Sequence, residues 1–144
     1  MVDIQKALIT HIDTLLTSDT ALKAAMGGEV RLFLTFAAPD TEFPYLVHRV
    51  DMGMLGDFSP VARCTYIIDI WSYSPSADEA LAIRSEIMRL LDGLTFSTDE
   101  SSDNWLWVQT DGFIPESTQD IWHYSCQFNL KYIKDAQVGA VLKR

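Results

Sequence analysis

Three histidines, two cysteines and a few clustered acids are the side chains through which this 144-residue chain would do chemistry. His11, His48 and His123 stand far apart, and none has a neighbour at the spacing that metal ligation uses. They read as packing or surface residues. Cys64 and Cys126 lie inside apolar, strand-like runs, where nothing local would lower a thiol pKa, so a nucleophile–base pair of Cys64 with His48 or His123 is disfavoured. Buried free thiols of a reducing compartment are the favoured reading, with a disulfide across neighbouring strands as the alternative. Asp69 is the one charge within a central apolar run. A buried acid there, with a raised pKa, would be a candidate general base; pairing with Arg63 or Arg49, or an open position at the end of a sheet face, is the structural reading and the one we favour. Asp99, Glu100 and Asp103 would suit a hard cation, but they lack the glycine-pivoted spacing of a calcium loop and read as a solvated acidic loop. No catalytic residue, metal or cofactor is expected, and the chain does not read as an enzyme.

The elements that would carry these residues follow from periodicity. From residue 2 to 17, Ile4, Leu8, Ile12, Leu15 and Leu16 recur at helical spacing. Ser18 and Asp19 start a short second helical turn, which Gly27 and Gly28 end. Residues 30–36 and 43–51 read as strands, with Pro44 confined to the start or to an edge. The strand at 61–73 places Thr65, Ile67, Asp69, Trp71 and Tyr73 on one face and Cys64, Tyr66, Ile68 and Ile70 on the other. Both faces are largely apolar, which predicts a central strand with at least partial cover on each side. Ser76 and Glu79 have the spacing of a capping box, followed by a stripe of Ala80, Ile83, Ile87, Leu90, Leu91 and Leu94. This strand-to-helix junction holds no glycine-rich phosphate loop and no nucleophile.

Residues 96–104 read as a polar, mobile loop, and 105–111 as a strand carrying Trp105 and Trp107 on one face, where one of them would suit an interface. From 121 to 133 apolar and polar residues alternate cleanly, as in a strand with one wet face. The fold class expected is α+β: a mainly antiparallel sheet with two main helices packed on one face. Residues 1–134 form a single domain and 135–144 a loose tail.

Composition narrows the function. A hydrophobic content of 48% argues for a folded globule. The net charge of −9 disfavours DNA or RNA wrapping, which needs cations to neutralise phosphates, yet it is compatible with an acidic wall past which DNA slides. No run is long and apolar enough to span a membrane, and the first residues do not resemble a signal peptide. The segment 52–58 sets Met52, Met54, Leu55 and Phe58 among glycines, which suggests either a docking loop or a tip folded over its own core.

The order of these segments resembles a family. Val2, Asp3, Ile4, Gln5, Lys6, Ala7 and Leu8 come first, then Asp19 to Lys23 with Gly27 and Gly28. Phe43, Pro44, Tyr45, Leu46 and Val47 follow, then the strand from Thr65 to Ser72 and the helix opening at Ser76, Ala77, Asp78, Glu79 and Ala80. From about residue 2 to 134 this resembles the tail completion, or tail terminator, proteins of long-tailed phages and prophages. The resemblance implies a structural α+β subunit of a ring, commonly sixfold, at the head-proximal end of the tail tube. Its partners would be other copies of itself, the major tail tube protein and the head–tail connector, with DNA passing unbound through the lumen. It would be found in the virion tail and, during assembly, in the host cytoplasm. Ring contacts of this kind need two different patches per subunit; Met52, Met54, Leu55 and Phe58 supply one candidate and Asp99, Glu100 and Asp103 the other. A neck or head-closure component, and a small ligand-binding domain using Asp69, are the alternatives.

Overall fold

The computed structural model describes residues 4–52 and 61–134. Helix α1 (Ile4–Ser18) buries Leu8, Ile12 and Leu16, which repeat every four residues and so line one face. Its partner α2 (Thr20–Ala25) starts where expected: the Asp19 carboxylate accepts a hydrogen bond from the Leu22 amide at 2.9 Å. Gly27 and Gly28 leave the helix with φ of 85° and 111°, a region that favours glycine.

The sheet contains β1 (Leu32–Leu34), β2 (Tyr45–Asp51), β3 (Val61–Tyr73), β4 (Thr95–Phe96), β5 (Ser101–Ile114) and β6 (Ile121–Lys134), in the spatial order β1-β2-β3-β6-β5-β4. Among the described residues only β1 and β2 run parallel; every other neighbouring pair is antiparallel. The fold is thus α+β, and β3 is central. Pro44 lies just ahead of β2, where no ladder hydrogen bond is asked of it.

Helix α3 (Asp78–Leu91) sends Ala80, Ile83, Ile87 and Leu91 into the same core as α1 and α2. Its start corrects the capping-box expectation. Ala77 occupies the cap position without a side-chain bond, and Glu79 instead accepts a hydrogen bond from Ser72 Oγ at 2.5 Å. Burial of Ser72 at the end of β3 gives that carboxylate a stronger partner than the helix backbone does.

All strand residues of the core cluster share one face: Leu46 and Val50 on β2, Ala62, Cys64, Tyr66, Ile68 and Ile70 on β3, Leu106 on β5, and Tyr124, Cys126, Phe128, Leu130 and Tyr132 on β6. The helices cover this face. None of these helices packs on the other face, yet Ile67 on it is only 7% exposed and Thr65, Asp69 and Trp71 are half-buried, in keeping with the partial cover expected on that side of β3. The 96–104 loop, by contrast, is corrected. β4 and the start of β5 form a tight hairpin, in which Thr98 Oγ1 accepts from the Glu100 and Ser101 amides at 3.2 and 3.1 Å.

Candidate interaction surfaces

The helix layer is fastened to the sheet by ion pairs at its rim. Arg84 on α3 donates to Asp111 on β5 through Nε at 2.9 Å, and Tyr124 from β6 donates to the same carboxylate. The Tyr124 hydrogen bond, ahead of the Arg84 contacts, outweighs partial burial and holds the Asp111 carboxyl below its usual range. Arg89, near the end of α3, reaches Asp19 at 2.7 Å and so ties α3 to the start of α2. A bulge between Val108 and Thr110 is what turns Asp111 to the helix side.

The candidate chemical residues are not brought together. His48 is buried on the covered face, 2.8 Å from the Tyr66 hydroxyl, and burial pushes its pKa down to about 4. Cys64 lies four residues along β3 from the Ile68 that faces His48, while His123 points to the opposite side of the sheet. Burial pushes both thiols up to about 12, so neither is a thiolate at neutral pH. Both cysteines are free, and the registered positions set Cys126 opposite Ile68, away from Cys64. Among the described residues no group of three His, Cys, Asp or Glu side chains converges at metal-binding distance.

Asp69 does not pair with Arg63. Its Oδ1 lies 3.1 Å from His123 Nε2, with Ser125 opposite it on β6. Burial alone would raise the Asp69 pKa, but hydrogen bonds from His123 and Ser125, with the charges of His123 and Arg49, hold it below the usual range. A general base for neutral pH needs the opposite shift. His11 is also structural, stacked on Phe96 with ring centroids 4.2 Å apart.

Of the residues expected at contacts, Met52 is half-buried against the core, while Met54, Leu55 and Phe58 lie outside the described residues. Asp99 and Glu100 sit on the β4–β5 turn and line an open groove of about 740 Å³ against Lys6, His11 and Leu15 of α1. Asp103 is apart from them, exposed in the bulge between Ser102 and Trp105, with φ of 50°.

The larger surface was not singled out by residue patterning. On the uncovered face an aromatic strip crosses the sheet: Phe33 on β1, Tyr45 on β2, Trp71 on β3 and His123 on β6. Centroid separations are 6.2 Å for Phe33–Tyr45, 6.1 Å for Tyr45–Trp71 and 3.9 Å for Trp71–His123. Phe43 and Tyr73 extend it at the sheet end. Towards the other end of the face Trp105 and Trp107 lie together, 4.4 Å apart, as their spacing on one strand predicts. The signal was present in the odd-numbered positions of β3, but only the structure shows that Val61, Arg63 and Tyr73 are exposed there while Ile67 is buried.

A family profile described as tail completion protein gp17 matches residues 10–132. No curated protein sequence matches the chain significantly. Among solved structures, a chain from the virion of a native gene transfer agent particle superposes with a TM-score of 0.77 at 15% identity, covering 92% of this chain and 99% of that one. At that identity the likeness is one of fold.

Proposed function

The chain belongs to the tail completion protein gp17 family, and on that premise we propose that it forms a ring closing the head-proximal end of the phage tail tube. It is a structural protein of a phage tail, from a family of virion components rather than enzymes. In the proposed role the ring, a hexamer, ends polymerisation of the major tail tube protein and offers its far side to the head–tail connector. The subunits assemble in the host cytoplasm and remain in the virion tail. DNA passes through the lumen without specific binding, in keeping with a net charge of −9 that repels phosphates.

The observation carrying this reading is the extent of the family match, which takes in most of the helical layer and every strand of the sheet. The geometry is compatible with it: a rigid two-layer core whose polar loops and open sheet face are left for contacts. The test is to polymerise tail tube protein with and without the chain and measure tube lengths by negative-stain imaging. Rings in solution and tubes capped at one end are expected. A chain that stays monomeric and leaves the length distribution unchanged overturns the proposal.

A further inference from the structure

The helices do not pack on the face that carries the odd-numbered positions of β3, where Ile67 is buried but Trp71 is half-buried and Val61 and Tyr73 are exposed. We propose that the uncovered sheet face is one of the two contact surfaces between copies of this chain, packed in the ring against a carboxylate-rich surface of the next copy. The inference rests on the ring reading above and specifies which surface makes the contact.

Composition is the first argument. Tyr45, Trp71, Tyr73, Trp105, Trp107 and Ile114 share this face with Arg49 and Arg63. Tyr73, Trp105 and Ile114 are 58%, 42% and 43% exposed, unusual for side chains of this size. Aromatic and arginine side chains with few acids are the signature of a protein–protein interface core.

Charge is the second. At the registered positions of this face the cations are Arg49, Arg63 and Lys131, and the carboxylates are Asp51 and Asp69, both of them engaged within the chain, Asp69 by His123. Arg63 and Lys131 stand directly opposite each other on β3 and β6, an arrangement that costs stability unless an anion lies nearby. The chain as a whole has a net charge of −9. A second copy is therefore repelled by most of the molecule and attracted here. The same imbalance favours a head-to-tail contact, acidic surface on basic face, over two basic faces meeting, and head-to-tail contacts are the kind that close rings.

Size is the third. From strand spacing and rise, the plane spanned by β2, β3, β6 and β5 is roughly 700 Å², close to the ~800 Å² that each partner contributes to a standard interface. A nucleic acid fits less well, since three cations on an acidic protein offer few phosphate contacts, and the apolar ladder would stay wet.

The test uses the full chain and the double variant Arg63→Glu/Lys131→Glu, with Trp105→Ala as a second, uncharged probe. Circular dichroism checks the fold, and sedimentation velocity over a concentration series measures assembly. Hydroxyl-radical footprinting follows Trp71 and Trp105. The wild type should assemble with rising concentration and protect both tryptophans as it does so, and each variant should weaken assembly by roughly tenfold or more. Unchanged assembly by both folded variants overturns the inference while leaving the ring standing. A wild type that is monomeric at every concentration overturns the ring reading itself. Tryptophan protection that does not depend on concentration shows the chain's own residues covering the face, and variants that assemble normally but lose retention of a short DNA duplex show a nucleic-acid surface. Either result overturns the inference.

Discussion

The two faces of the central sheet are built by the same strands in the same register, yet one is dry and the other half-open. On the covered side Tyr66, Ile68, Phe128 and Leu130 are fully buried under three helices, and even the polar His48 is 1% exposed. On the other side no helix packs; Trp71 stacks between Tyr45 and His123, and His123 pairs with Asp69. The difference separates two tasks. The covered face supplies the stability of the subunit, and the open face holds large side chains in reserve for association.

The largest test of that division is Phe128→Ala, which removes a fully buried ring from the covered face and should cost ~3–5 kcal/mol in denaturant unfolding. A loss below about 1 kcal/mol would show that the helix layer does not supply the stability.

Acid titration separates the faces by pH window. The His48 ring ordinarily titrates near 6.5, and burial pushes the folded value down to about 4. Between those values the unfolded chain takes up a proton that the folded chain refuses, so stability is full above 6.5 and falls as pH drops towards 4. The expected loss is about 3 kcal/mol, and His48→Gln should flatten the profile in that range. Asp69, on the open face, is held below its ordinary 3.8, so its contribution is present above that value and disappears only as pH falls further. A His48→Gln variant with an unchanged profile between pH 6.5 and 4 would remove the distinction.

Smaller effects sharpen the comparison at its edges. Arg84→Ala breaks the partly exposed tie between α3 and Asp111, at a cost of ~1 kcal/mol that high salt reduces, measurable by thermal unfolding. Trp105→Ala on the open face should change the stability of the isolated subunit by only ~0.5–1 kcal/mol, most of it from the contact with Trp107. A much larger destabilisation of the monomer would mean that Trp105 belongs to a core after all.

Much of this contrast was legible residue by residue. The alternation from 121 to 133 assigned Trp122, Tyr124, Cys126, Phe128, Leu130 and Tyr132 inward, and the core contains five of these, with Trp122 packed against it. The helical repeat of Leu8, Ile12 and Leu16 and the Asp19 cap were equally plain, because each depends on residues within a turn or two. The Ser76–Glu79 capping box failed because Ser72, brought close by the strand-to-helix turn, competes for Glu79. Asp69 met His123 at 3.1 Å, with Arg49 acting on it through its charge, because the antiparallel register sets β6 beside β3, 54 positions on in the chain. The 96–104 segment looked like a loop because its polar residues make their bonds within a two-residue edge strand and its turn.

Sequence by itself determined the helices, the long strands, which face of each strand is apolar and the acidic character of the whole, since periodicity and charge are local sums over neighbouring residues. It also determined that β3 would be apolar on both sides. Only the tertiary structure decided that a single helical layer answers that demand. Strand order is set by which long-range pairings bury the most apolar surface at once, and in this order all three helices return to the same side. The second apolar face is left to whatever the molecule meets next.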